Sequence, residues 1–242
     1  MKNLNSKNRK PQNWLMMINN IRSYLTESLE SNKEYYINNS IPLVIKDKFL
    51  SPDINLEDFV TTLGHTLPSH LLQNVEILYA GEFPELTNGK TAAFHDGAIY
   101  ISNEEVTTED LLEDVYHEVA HSLEDPLGQE IYGNGELAAE FLGKRNRLKS
   151  ILDLEGYEFP EKFYISPEYY SSFDNFLSNV VGYPTLLSLT MGLFVSPYGA
   201  TSLREYFANG FEKYHMGEAK LVKEVSPALY NVINNLRLES DD

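Results

Sequence analysis

Apolar positions change their period along this chain, and the changes mark out its elements. Trp14, Met17, Ile18, Ile21 and Leu25 recur at intervals of three and four, which predicts an amphipathic helix over about Asn13 to Leu29. Between Ile41 and Leu72 short apolar patches alternate with Pro42, Pro52, Gly64 and Pro68, and helical turns are expected around Leu56 to Leu63 and Ser69 to Gln73. From Val75 the period shortens. Val75 to Tyr79, Thr91 to Phe94 and Ala98 to Ser102 read as strands, with His95, Asp96 and Gly97 supplying a hairpin turn. After Asn103 the pattern is mainly helical, broken at Gly156 to Pro167 and again at Gly182-Tyr183-Pro184. No internal repeat or low-complexity tract interrupts it. The expectation is an α+β fold, mainly helical, with a small mixed sheet beside the helix that opens after Thr107. Residues 1–45 are expected to form an arm and an amphipathic helix. Residues 46–242 are expected to form one domain with a helical insert at about 124–190.

Composition narrows the possible partners. The 242 residues, 42% hydrophobic and 12% aromatic, can fill a real core. Nineteen basic against 36 acidic residues leave a net charge of −17, which repels phosphate backbones and anionic headgroups. Neither nucleic acid nor a membrane surface is therefore expected as the main partner. With no cysteine, disulfides, thiolate metal sites and cysteine nucleophiles are excluded, so any metal must be held by His, Asp or Glu. The basic first twelve residues lack the apolar run of a secretory signal, and no apolar stretch approaches the roughly 18 residues that span a bilayer. A cytoplasmic location is the expectation.

The chemistry concentrates in Thr107 to Asp125, TTEDLLEDVYHEVAHSLED. Thr107 with Asp110 is a variant capping box, and Leu111, Leu112, Val115, Tyr116 and Val119 make the following run a buried helix. His117 and His121 then differ by about 40° around the axis, so both imidazoles reach one ion from one face. Glu118 lies about 100° aside, placed to hold a water that the ion activates. This is the H-E-x-x-H pattern of zinc-dependent hydrolases, and it implies one zinc ion per chain with a third protein ligand downstream.

Two candidates compete for that ligand. Glu205 opens a helix behind Ser202, with Phe207, Phe211 and Tyr214 on its apolar face and Glu205, Asn209 and Glu212 on the other; Asn209 is then the expected support for the ligand set. Glu136 and Glu140 begin another helix with Asn134 as N-cap, and Glu140 follows His121 by nineteen positions, close to the thermolysin spacing. Spacing alone leaves both open.

The segments DVYHEVAHSLED and YGATSLREYFANGF resemble the catalytic core of the lethal-factor-like metallopeptidases, the group that includes the Pro-Pro endopeptidases. Tyr198 stands seven positions before Glu205, as the family's distinctive tyrosine does before its ligand glutamate, and Tyr206-Phe207-Ala208 matches the family's aromatic-aromatic-alanine run after that glutamate. LPSHLLQNVEILYAGEFPEL and DGAIYISN further look like uncharacterised metallopeptidase-like proteins of tailed phages, which implies a phage-encoded chain. The resemblance implies a zincin-like domain with Glu205 as third ligand and Tyr198 as hydrogen-bond donor to the developing oxyanion, acting as an endopeptidase on peptide or protein substrates. One departure is Asn209, where family members often carry a second glutamate.

The strand at Ala98 to Ser102, with Ile99 and Tyr100, is expected to offer an edge to an extended substrate. The acidic run Glu104, Glu105, Glu109, Asp110, Glu113 and Asp114 is expected to be a solvated helix face. The rival to an enzyme is a catalytically silent zincin-like binding or assembly protein, phage-associated or an effector; a weaker one is a metallo-hydrolase of another carbonyl substrate.

Overall fold

The computed structural model describes residues 34–86 and 89–238; the helix expected at 13–29 lies outside the described residues. Five strands come first: β1 (Tyr35–Ile37), β2 (Ile41–Ile45), β3 (Ile77–Gly81), β4 (Ala92–His95) and β5 (Ala98–Ser102). Helix α1 (Leu56–Thr66) lies between β2 and β3. The rest is helical: α2 (Thr108–Glu124), α3 (Gly128–Tyr132), α4 (Glu136–Leu154), α5 (Ser171–Asn175), α6 (Tyr183–Leu189), α7 (Leu203–Lys213), α8 (Ala219–Val225) and α9 (Pro227–Leu238). The fold is α+β, mainly helical, with a small mixed sheet. The compact unit begins at Tyr35, so β1 and β2, expected to belong with the N-terminal arm, are part of the sheet. No described helix is long and apolar enough to cross a membrane.

The sheet order is β1-β2-β3-β5-β4, with β2–β3 and β3–β5 parallel and the outer pairs antiparallel. The β4–β5 hairpin turns through Asp96 (φ 47°) and Gly97 (φ 79°), the two positive φ values that a tight right-twisting hairpin requires. This order corrects one expectation. β5 pairs on both sides and Ile99 is fully buried, so Ile99 and Tyr100 offer no free edge. Among the described residues the edge belongs to β4, because the intervening hairpin folds back outside β5.

Helix α2 packs between the sheet and α7. Thr107 accepts from Asp110 N, and the Asp110 carboxylate accepts from Thr107 N, closing the expected capping box. Leu111, Val115, Val119 and Leu123 are fully buried on one face, each contributing about 1.5–3 kcal/mol. The helix is thereby locked in rotation, with His117, Glu118 and His121 turned toward a cavity. Farther on, Gly210 lets α7 approach α9, since a Cβ there would sit 2.2 Å from Leu229 Cδ2.

Helix α4 ties the C-terminal helices down with buried polar groups. The Glu140 carboxylate accepts from Tyr206 OH (2.9 Å), Ala228 N (2.9 Å) and Leu229 N (3.2 Å), capping the start of α9. Lys144 Nζ donates to Leu193 O, Val225 O and Ser226 Oγ at 2.7–2.9 Å. The side chain of Arg145, fully buried, donates to the carbonyls of Ala200 (2.8 Å), Thr201 (3.2 Å) and Phe163. Arg145 thus holds the single turn Tyr198–Ala200 against α4.

His215 carries a consequence for stability. It is buried among the rings of Tyr116, Phe211 and Tyr214, with Nδ1 2.9 Å from Phe211 O and Nε2 without a partner among the described residues. Burial pushes its pKa down to about 4. An unfolded chain takes up this proton near pH 6.5, whereas the folded one resists it, so stability present above about 6.5 is lost as pH falls toward about 4. The loss amounts to about 3 kcal/mol. Urea unfolding of the wild type and His215→Gln at about pH 7.5 and about pH 5 is expected to show a shallower acid dependence in the variant. Parallel dependences would remove His215 as the cause.

Candidate metal centre

Ser202 sets the start of α7: its Oγ accepts from Glu205 N at 3.1 Å. The cap stays one-sided and is not closed into a box, because the Glu205 carboxylate turns to the histidines of α2. Glu205 Oε2 lies 3.0 Å from His117 Nε2 and 3.7 Å from His121 Nε2, and the two Nε2 atoms are 3.2 Å apart. Three ligands of a tetrahedral zinc, each about 2.0–2.1 Å from it, stand about 3.3 Å from one another. The observed triangle has that size, and its nitrogen and oxygen donors suit the ion. Sequence spacing left three glutamates in competition. Glu140 is committed to Tyr206 and α9, and Glu136 bonds Asn134 at the exposed start of α4, so neither joins the group formed by the histidines and Glu205.

The outer nitrogens are held too. Glu124 Oε1 is 2.7 Å from His121 Nδ1, and Glu212 Oε2 is 3.5 Å from His117 Nδ1. These carboxylates suit a ring proton on Nδ1, so that with a cation bound both Nε2 atoms would turn their lone pairs, with Glu205, toward it. Arg204 Nε in turn donates to Glu124 Oε2. Burial opposes charge on His117, but its hydrogen bonds to Glu205 and Glu212 outweigh it and push its pKa up to about 10. Burial likewise opposes the charge on Glu205, yet His117 and His121 hold its carboxyl well below the usual carboxylate range. The pocket of negative charge favours a cation where the three donors meet.

Asn209 does not have the expected role. Its Nδ2 donates to the Glu205 backbone carbonyl (2.9 Å), one turn back on its own helix, and so reaches neither histidine. Glu212 and Glu124 take that role. Both signals were in the chain: Glu124 sits three residues after His121, and Glu212 sits seven after Glu205, two turns along one face.

The donors open on a cavity of about 880 Å³. Glu118 lines it, with Oε2 accepting from Phe94 N (2.7 Å) at the free edge of β4. Tyr198 lines it as well, its ring 6.4 Å from that of His117 and 6.5 Å from that of Tyr183. Burial, then the charges of Glu205 and Asp174, raise the Tyr198 pKa far above its ordinary value, so its hydroxyl keeps its proton. Asp174 accepts from Tyr183 OH (2.8 Å) and Tyr169 OH (2.7 Å), steadying the wall behind Tyr198. His117, Glu118, His121, Tyr198 and Glu205 all line this one cavity. No protein-family model, curated protein or solved structure matches the chain.

Proposed function

We propose that the protein is a zinc-dependent endopeptidase, with His117, His121 and Glu205 as the metal ligands. The observation that carries this reading is the convergence of two imidazole Nε2 atoms and one carboxylate oxygen, the imidazoles held from behind by outer carboxylates, beside Glu118 and an open cavity. Bound zinc would supply Lewis-acid polarisation of a peptide carbonyl and would lower the pKa of a water toward about 7. Glu118 takes the proton of the attacking water as the new C–O bond forms. It then delivers that proton to the amide nitrogen as the C–N bond breaks. Its hydrogen bond to Phe94 N fixes the carboxylate for both transfers.

The substrate main chain is held by β4. In the register Ala93↔Tyr100 and Phe94↔Ile99, Ala92 and Phe94 point their backbone groups away from β5. Phe94 N–H is engaged by Glu118, so the Ala92 N–H and C=O pair with an extended peptide. Tyr198 donates to the oxygen that gains charge in the transition state. Tyr198→Phe is expected to lower kcat by about 10²-fold with zinc content unchanged. Initial rates on a cleaved peptide check this, and a loss below about threefold would remove Tyr198 from the mechanism. The reading as a whole is tested by incubating the zinc-loaded protein with a mixed peptide library and identifying new termini. Cleavage that a chelator abolishes and added zinc restores supports it; an untouched library contradicts it.

A further inference from the structure

Two members of the acidic run do not lie on a solvated face. Glu105 is only 7% exposed, and its carboxyl is hydrogen-bonded to that of Asp114. Asp114 lies one turn before His117 on α2 and lines the cavity of the metal centre. Its Oδ2 receives no hydrogen bond among the described residues, while Thr91 and Glu105 bond to the same carboxyl and the nearby His117 acts on its charge. Among the described residues neither carboxyl is paired with a lysine or arginine; Arg204, which also lines the cavity, is engaged by Glu124.

Two carboxyls in contact away from water do not both ionise cheaply. Burial first, then the charge of Asp114, pushes Glu105 up to about 8, so the pair shares a proton and carries one negative charge near neutrality. Among the described residues no lysine or arginine offsets that charge, and Asp114 borders the space where a substrate lies. A hard metal ion would need six or more oxygens, whereas two carboxyls and one threonine hydroxyl suit an ammonium or guanidinium. Among the described residues the one group of three side chains able to hold a metal is the His117, His121 and Glu205 set.

We infer that Asp114, backed by Glu105, is the floor of a subsite that takes a lysine or arginine side chain of the substrate. The inference rests on the peptidase reading and names its substrate class. The net charge of −17 acts in the same direction, drawing basic segments toward the cleft.

The test uses the full chain loaded with zinc and peptides carrying lysine, arginine or norleucine at each position flanking the scissile bond. Norleucine keeps the aliphatic stem and removes the charge. At one position the basic residues are expected to raise kcat/KM about tenfold or more over norleucine, and Asp114→Asn to bring that ratio close to one. No basic preference in the wild type, or the same preference in Asp114→Asn, overturns the subsite. Glu105→Gln, whose position is farther from the zinc ligands, is expected to reduce the ratio in the same direction and decides the matter if Asp114→Asn fails to fold. Calorimetric binding of the lysine and norleucine peptides to zinc-loaded Glu118→Gln separates this inference from catalysis. Tighter binding of the lysine peptide that is lost with Asp114→Asn supports the subsite even if no peptide is cleaved; equal binding of both peptides overturns it.

Discussion

Replacing Glu118 by glutamine is expected to leave one zinc per chain and to lower kcat by about 10²–10⁴-fold. The amide keeps the shape of the side chain and still accepts from Phe94 N through its oxygen, so the fold and the ligand triangle stay as they are. What it lacks is basicity, and with it the means to take the proton of the attacking water and return it to the leaving nitrogen. KM is expected to change little, because main-chain pairing to Ala92 does not involve the carboxylate. Parallel measurement of zinc content and initial rates checks both halves. Equal rates in the two proteins would leave a zincin-like binding protein as the better account.

The second large effect separates two glutamates that spacing could not. Glu205→Ala removes one of three ligands and the charge that draws a cation to His117 and His121, so the variant is expected to lose both its zinc and its hydrolysis. Glu140→Ala is expected to keep its zinc and to lose roughly 2–4 kcal/mol of stability, because Tyr206 OH and the backbone N–H groups at the start of α9 lose their acceptor. Chemical unfolding at neutral pH measures the second change. A stable Glu140→Ala protein would show that the cap is dispensable.

The parts of this site that local pattern could reveal are those made within one helix. Thr107 and Asp110, the buried stripe from Leu111 to Val119, and the i and i+4 histidines all derive from the helical period, and α2 is built as expected. The hairpin turn at Asp96 and Gly97 was legible for the same reason. Features that depend on pairing between distant segments were not. Alternation identifies β3, β4 and β5 as strands but carries no information on their order, and the parallel β3–β5 pairing moves the free edge from Ile99 and Tyr100 to Ala92 and Phe94. Glu140 and Glu205 stand equally well at the start of their helices, and only the packing of α4 on α9 assigns Glu140 to a cap. Glu105 reads as solvated by its neighbours; it is buried because the segment before α1 folds over the start of α2, where Ser51 Oγ donates to Val106 O (2.6 Å) and Asn55 N to Thr108 Oγ1 (2.8 Å).

Whether His117, His121 and Glu205 together hold zinc is decided most directly by metal content. The zinc-reconstituted wild type, Glu205→Ala and Glu140→Ala are measured in parallel by plasma mass spectrometry after purification. One zinc per chain in the wild type and in Glu140→Ala, with none retained by Glu205→Ala, is the expected result. Stoichiometric zinc in folded Glu205→Ala, or none in the wild type, would contradict it.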